Sequence, residues 1–224
     1  MRRTIYFILF MSVATSSFAG ASGIILAKLD KDGTSRLSIG PVPPLVREKY
    51  EYYEIRGNSE KELSCQITQN GCSWNDGKKY ASVTSWNVKW SYGYRRAPQG
   101  CSAESFTTTV DITYRYPKWV RTDGAPQILV GTWETYLERL LVHEKGHRDM
   151  AVEAAADLAR AVSKLPVARS CAELDREVRA LGRGRITTLN VLERQYDATT
   201  KHGTTQGAIF PRPINSVQSS LPVQ

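Results

Sequence analysis

The longest regular pattern in the chain is a run of apolar residues, spaced three and four apart, from Trp133 to Leu165. This spacing puts one apolar stripe along a helix and predicts a single long helix packed against a core. Thr132 is a suitable N-cap residue, and Pro166 cannot continue a helix. We therefore expect one helix from Thr132 to about Lys164, and this helix dominates the fold that the chain can adopt.

The predicted helix carries the sequence His143-Glu144-Lys145-Gly146-His147. Histidines four positions apart lie one turn apart on the same helix face, so both can bind one metal ion. Glu144 points beside them, where a carboxylate that is not a ligand could take a proton from water. The pattern predicts a Zn²⁺ site with His143 and His147 as ligands and Glu144 as general base. Two incidental histidines on a half-buried helix face are the alternative.

The third histidine of the chain, His202, follows a second predicted helix. This helix begins at a capping box, Ser170 to Glu173, and the short link before it favours antiparallel packing on the first helix. The end of the second helix would then return toward His143 and His147 and bring His202 into range as a third ligand. An exposed histidine in a loop is the alternative, and the spacing alone does not choose between the two.

Residues with alternating character predict β-strands before the long helix. The segments Lys79–Arg95 and Phe106–Tyr116 should pair antiparallel, and we expect Pro117 to end the second. A first strand is predicted at Tyr50–Ile55 and a short helix at Glu60–Gln69. The expected fold class is therefore α+β, with a small antiparallel sheet packed against two long antiparallel helices.

The N terminus has the three parts of a secretory signal peptide: Arg2-Arg3, the apolar run Ile5 to Val13, and small residues up to Ala21. No segment is long enough for a membrane-spanning helix, so we expect a soluble protein exported to the periplasm or beyond the cell. The predicted segments are a signal peptide at 1–21, a leader at 22–49, a catalytic domain at 50–207 and a disordered tail at 208–224.

The even number of cysteines fits an exported protein, because oxidising compartments favour disulfides. The four are Cys65, Cys72, Cys101 and Cys171. Three pairings are open, and we favour Cys65–Cys72 as a local clasp with Cys101–Cys171 as a long-range tie. A cysteine zinc site is the competing interpretation, but the chain has no C-x-x-C pair.

The net charge of +8 would draw an exported protein to anionic envelope polymers or acidic lipid. The basic residues are spread along the chain rather than blocked together, so an ordinary solvated surface is the simpler interpretation. No nucleic-acid-binding motif is present, and we do not expect that class of partner. Other envelope proteins stay open as partners.

Several motifs together give the chain a resemblance to a bacterial family. They are Trp86 and Trp90, Cys101, Pro117-Lys118-Trp119, Trp133 ahead of the HEKGH sequence, Cys171, and the closing YDATTKHG from Tyr196 to Gly203. From about Tyr50 to Gly207, the chain resembles the family called domain of unknown function 922, whose members are described as predicted secreted zinc-dependent proteases.

The resemblance implies a zincin-like catalytic domain and roles for single residues. His143 and His147 become zinc ligands, Glu144 the general base, and His202 the third ligand. Asp197 is the rival third ligand, because some zinc proteases with an HExxH helix use an aspartate.

If His202 binds zinc, Asp197 could instead orient a ligand histidine. Tyr196 could donate a hydrogen bond to a developing oxyanion, or it could simply pack between helices.

The expected activity is peptide hydrolysis, with zinc polarising the scissile carbonyl and Glu144 activating water. A second hypothesis is hydrolysis of amide bonds in peptidoglycan, to which the positive charge would help bring the protein. A third is a binding or assembly module of the envelope that keeps a zinc site for stability without turnover.

Overall fold

The structure is a computed structural model that describes residues 2–5, 27–29, 35–37, 42–74 and 76–210. Most of the predicted signal peptide and the tail from residue 211 onward lie outside the described residues. Among the described helices, none combines the length and the apolar character that crossing a bilayer requires.

The fold is α+β, with three α-helices and a small mixed sheet in the described part of the chain. The helices are α1 Glu60–Asn70, α2 Gln127–Val162 and α3 Cys171–Thr200, and a short 3-10 helix follows at Thr204–Gln206.

Sequence signals fixed the start of α3 correctly but not the start of α2. At α3, the Ser170 hydroxyl accepts a hydrogen bond from the Glu173 backbone N–H, as the capping box predicts. The predicted cap of α2, Thr132, instead lies inside the helix and donates its hydroxyl to the carbonyl of Ile128. The helix begins at Gln127, directly after Pro126, because proline has no N–H to satisfy in a first turn.

The strands form one four-stranded sheet, ordered β1-β7-β8-β4, and two small sheets that pair β2 with β3 and β5 with β6. Their bounds are β1 Arg2–Ile5, β2 Ala27–Leu29, β3 Ser35–Leu37, β4 Leu45–Ile55, β5 Cys72–Ser73, β6 Lys79–Tyr80, β7 Val83–Ala97 and β8 Gly100–Trp119. Strand β4 begins inside the predicted leader. Strand β1 falls within the predicted signal peptide, and that segment stays a prediction.

The main sheet is mixed, so the prediction of a purely antiparallel sheet is wrong. Strands β7 and β8 run antiparallel, with the Ser91 hydroxyl 2.8 Å from that of Thr107. Strand β4 runs in the same direction as β8. Its Tyr50 ring stacks on Tyr114 at 4.8 Å, and further along both strands the Val120 N–H donates to the carbonyl of Ile55. Alternation in the sequence indicates which face of the sheet a residue occupies, but it does not indicate whether the neighbouring strand runs parallel or antiparallel.

Pro117 does not end its strand, contrary to the prediction, because β8 continues to Trp119 with Pro117 fully buried. Near the start of β7, the Ser85 hydroxyl contacts the carbonyl of Thr113. Pro117 therefore lies beyond the stretch that pairs with β7, where a strand can do without one N–H.

The structure contains one of the two favoured disulfides. Cys101 and Cys171 are bonded, and backbone hydrogen bonds between Cys101 and Ala168 flank the bridge. The pairing of Cys65 with Cys72 is wrong, since both are free thiols. Cys65 lies exposed on α1, whereas the sulfur of Cys72 is turned inward toward the carbonyl of Arg115.

The described contacts divide the chain into two compact units. The first comprises Met1–Glu48, Trp86–Ile112 and Arg148–Arg194, and the second comprises Lys49–Ser85, Thr113–His147 and Gln195–Gln224. Every predicted catalytic or metal-binding residue belongs to the second unit.

The predicted disordered tail starts too early. Phe210 is 8% exposed and packs edge-on against the rings of Trp133 and Tyr136 in α2. The chain is therefore ordered past residue 208 and returns to the core of the second unit.

Within the first unit, Gly182 allows α3 to approach Trp90 closely. A β-carbon at Gly182 would lie 2.5 Å from the buried Trp90 ring, whereas one at Gly184 would meet nothing within 4 Å. Glycine weakens a helix interior, yet α3 is continuous from Cys171 to Thr200. Gly182 is needed for packing, and Gly184 is not.

We expect Gly182→Ala to lower the free energy of unfolding by about 1–3 kcal/mol, because the new methyl group overlaps the Trp90 ring. The matched change Gly184→Ala should raise it by about 0.5–1 kcal/mol through helix propensity alone. Urea unfolding of both variants measures the difference. A stabilised Gly182→Ala protein would contradict the packing argument.

Candidate metal centre

The middle of α2 presents the HEKGH side chains to the protein interior. His143 and Glu144 are each 3% exposed, and His147 is 8% exposed. The apolar stripe of the helix explains this, since the histidines lie on or beside its buried face. A site in this position is shielded from bulk water.

One carboxylate oxygen brings the two motif histidines together. The Asp197 Oδ1, on the last turns of α3, lies 3.1 Å from the His147 Nε2 and 3.3 Å from the His143 Nε2. The three ligand atoms lie within 4.8 Å of one another. His143, His147 and Asp197 are therefore the residues that the structure assembles as a candidate metal-binding triad.

His202, the predicted third ligand, lies beside this triad without being part of it. Its Nδ1 is 3.5 Å from the Asp197 Oδ1, but its side chain is 48% exposed. His202 follows the end of α3 in a left-handed conformation, with φ of 51° after a φ of 50° at Lys201. Its ring packs against Tyr80 at 4.5 Å. The alternative ligand, Asp197, is the one that the geometry favours.

Asp197 is held as a carboxylate. Its burial raises the pKa of the group, but its contacts with the His143 and His147 imidazoles and the nearby charges of His147 and His202 outweigh that effect. The net result is a pKa well below the ordinary value for aspartate. An ionised oxygen that faces two imidazoles suits a divalent cation.

Glu144, the predicted general base, is held by two hydroxyl groups at the start of β7. Ser82 directly precedes this strand, and Thr84 is its second residue. The Ser82 hydroxyl donates to the Glu144 Oε1, and the Thr84 hydroxyl donates to the Glu144 Oε2 at 2.5 Å. All three residues are buried. Two hydroxyl donors compensate the carboxylate for the water that it loses on burial.

Tyr196, a predicted catalytic residue, packs on the motif. Its ring stacks on the His143 ring at 5.1 Å, and its hydroxyl donates to the His143 main-chain carbonyl at 3.1 Å. Gly146 makes this contact feasible, because any β-carbon there would overlap the Tyr196 hydroxyl and ring. The glycine of HEKGH is thus a steric requirement of the α2–α3 contact.

Three residues of the site escaped the sequence analysis: Ser82, Thr84 and Gln206. The Oε1 of Gln206 lies 3.0 Å from the His143 Nδ1. Ser82 and Thr84 lie within the predicted strand Lys79–Arg95, and Gln206 lies beyond the YDATTKHG sequence. None of the three belongs to a pattern with a chemical meaning of its own.

The donor set fits zinc. Two imidazole nitrogens and one carboxylate oxygen are ordinary zinc ligands, with bonds of about 2.0–2.2 Å. Tetrahedral ligands at those bond lengths lie about 3.3–3.6 Å apart, close to the 3.1 and 3.3 Å that separate the Asp197 oxygen from the two histidines. Three ligands of this kind would leave the fourth position of a tetrahedral zinc ion to a group other than these side chains.

Comparison with known proteins gave one result. The model of a family described as bacterial protein of unknown function (DUF922) matches residues 50–203. No curated protein and no solved structure matches the chain. The matched range includes the HEKGH sequence, Asp197 and His202, and it ends before Gln206.

We expect Thr84→Val to lower the free energy of unfolding by about 1–3 kcal/mol, because it removes a hydrogen bond from the buried Glu144 carboxylate. Thr108→Val is the matched control, since the Thr108 hydroxyl is equally buried but has no hydrogen-bond partner in the described structure. The control should be neutral or stabilising. Equal effects in urea unfolding would show that the Thr84 hydroxyl does not support Glu144.

Proposed function

The chain belongs to the bacterial DUF922 family, and we propose that it is an exported zinc-dependent hydrolase of polypeptides. The triad of His143, His147 and Asp197 carries this proposal. It joins a buried pair of helix-borne histidines to an ionised carboxylate, and three protein ligands would leave one of the four positions of zinc for water or substrate.

His143, His147 and Asp197 would hold the ion. When bound, zinc supplies Lewis acidity, which polarises a carbonyl and makes water acidic enough to react near neutral pH. The neutral imidazoles and the single carboxylate leave such a site with net positive charge, which favours the developing negative charge of amide hydrolysis.

Glu144 would accept the proton of the attacking water and pass it to the leaving amine. Ser82 and Thr84 each donate to a different oxygen of its carboxylate, which fixes the orientation of the group. Each carboxylate oxygen has a second lone pair and can still accept a proton. The two hydroxyl groups therefore orient the carboxylate and still leave it lone pairs with which it can act as a base.

The disulfide and the N-terminal sequence support the exported part of the proposal. The chain contains the Cys101–Cys171 disulfide. In most organisms, structural disulfides persist in oxidising compartments and are rare in the cytosol. The charged and apolar N terminus is typical of a secretory signal peptide. A positive net charge would keep the enzyme near anionic envelope polymers.

A second candidate function is a zinc-stabilised envelope module without turnover. One observation favours it: Glu144 is 3% exposed with both oxygens hydrogen-bonded, which is also how a purely structural glutamate is accommodated. The two functions make opposite predictions for catalysis but the same prediction for zinc content.

We predict that Asp197→Ala weakens zinc binding more than His202→Ala does, because only Asp197 places its oxygen against both motif histidines. His202 touches the site through Asp197, and its loss should cost at most about 10–100-fold in affinity. Competition with a chromophoric chelator measures both constants. A larger loss in His202→Ala would restore His202 as the third ligand.

We predict that Glu144→Gln retains one equivalent of zinc and loses about 10²–10⁴-fold or more in kcat, the range that acid–base catalysis supplies. The substrates are a fluorescently labelled unfolded polypeptide and, in parallel, purified peptidoglycan. Glu138→Gln, an exposed change on the same helix, is the control and should keep full activity.

Zinc binding without cleavage of either substrate by the wild-type protein would favour the module over the hydrolase. Cleavage of peptidoglycan alone would move the substrate class from polypeptides to the cell wall. Absence of zinc from wild-type protein purified without chelators would end both proposals.

A further inference from the structure

The chain turns back along α2 after α3 ends. We call residues 203–210 the return segment. A β-carbon at Gly203 would lie 3.0 Å from the His143 Cγ, and one at Gly207 would lie 3.4 Å from the Arg139 Cγ. The return segment therefore passes His143 first and Arg139, one helical turn earlier in α2, second.

Both ends of the return segment are fixed. Gly203 and Gly207 have φ of 81° and 88°, left-handed values that other residues adopt only at a cost. At the far end, Phe210 is buried in contact with Trp133 and Tyr136. The side chain between these anchor points that reaches the candidate metal centre is Gln206.

The orientation of the Gln206 amide follows from its neighbours. The Tyr196 hydroxyl lies 3.1 Å from the His143 carbonyl oxygen and 3.4 Å from the Gln206 Oε1, and the shorter of these two contacts takes its proton. Tyr196 must then accept from the Gln206 Nε2, 3.0 Å away. That arrangement turns the Gln206 Oε1 toward the His143 Nδ1, at 3.0 Å.

A second neighbour of the His143 Nδ1 acts in the same direction. The Thr200 hydroxyl lies 3.5 Å from this nitrogen. Its proton is used on the Tyr196 carbonyl, at 2.8 Å, so it too presents a lone pair to His143. Both groups that face the Nδ1 are acceptors, and a neutral imidazole must place its single proton on that nitrogen.

With the proton on the Nδ1, the His143 Nε2 carries a lone pair. This lone pair faces the Asp197 Oδ1 at 3.3 Å, and that oxygen is an acceptor as well. Two acceptors at this distance repel each other unless a cation lies between them. The same hydrogen bonds that select the tautomer therefore prepare the Nε2 to bind a metal.

We propose that Gln206 is a positioning residue that keeps the His143 proton on the Nδ1, and that the return segment serves to deliver Gln206 to this histidine. The proposal rests on the proposed zinc site, but its tautomer part can be tested without metal. It also assigns a role to a residue outside the range that the family model matches.

The first test is nitrogen NMR of the imidazoles in the metal-free protein at a pH where they are neutral. Only three histidines contribute to the spectrum, and His143→Gln identifies the signals of His143. We expect the Nδ1–H form for His143 in the wild-type protein, a shift toward the Nε2–H form in Gln206→Ala, and the Nδ1–H form again in Gln206→Glu. An unchanged tautomer in Gln206→Ala would overturn the proposal.

The second test measures zinc affinity with Zn²⁺ alone. Gln206→Ala should weaken binding about 10–100-fold, the usual effect of removing a group that orients a ligand, and Gln206→Glu should restore most of it, since a carboxylate accepts the same proton. A wild-type protein that binds zinc, with unchanged affinity in Gln206→Ala, overturns this proposal alone. A wild-type protein that does not bind zinc overturns the proposed function, while the NMR result still decides the tautomer.

The role of the return segment is tested by Phe210→Ala against Ile209→Ala, a neighbouring change at a side chain that is 57% exposed. Phe210→Ala should reproduce both effects of Gln206→Ala, whereas Ile209→Ala should have neither. A folded Phe210→Ala protein with the wild-type tautomer and zinc affinity would show that the segment does not hold Gln206 in place.

Discussion

The second unit depends on the meeting of Asp197 with the three histidines of the chain. The Asp197 Oδ1 lies within 3.5 Å of a ring nitrogen of each of His143, His147 and His202. Even a half-buried carboxylate without compensation would be destabilising. Contacts with the imidazoles of the motif histidines and the charge of nearby imidazoles outweigh this penalty and keep the group ionised. The C-terminal turns of α3 are thereby fixed to the middle of α2, and a cation can replace repulsion with coordination.

The histidine pair on α2 could be predicted from the sequence, but the choice between Asp197 and His202 as the third residue could not. The apolar stripe and the i, i+4 histidines determine that α2 is a buried helix with two imidazoles on one face. Asp197 and His202 are five positions apart at a helix end, and both could reach that face. The choice depends on where α3 stops, and two successive left-handed residues, Lys201 and His202, set that point. Such a stop has no reliable signal, because residues other than glycine adopt these angles only under local constraint.

The other incorrect predictions also concern contacts between elements rather than patterns within one element. Alternation located β4 and β8 but could not report that they run parallel, because the side-chain period is the same in both directions. The spacing of Cys65 and Cys72 permitted a bridge, but one lies on the outer face of α1 and the other points inward. Gln206 could not be found at all, since an amide acquires its role only from the groups around it. Patterns within one element were predictable, and contacts between elements were not.

The close contact between Gly146 and Tyr196 links two positions that lie on different helices. A side chain at 146 and an aromatic ring at 196 cannot occupy the same space. The two positions are therefore coupled: a larger residue at 146 would require either that the helices move apart or that the tyrosine and its hydrogen bond to the histidine carbonyl be lost. Reading such a pair in a relative would indicate how closely its helices approach, without a structure.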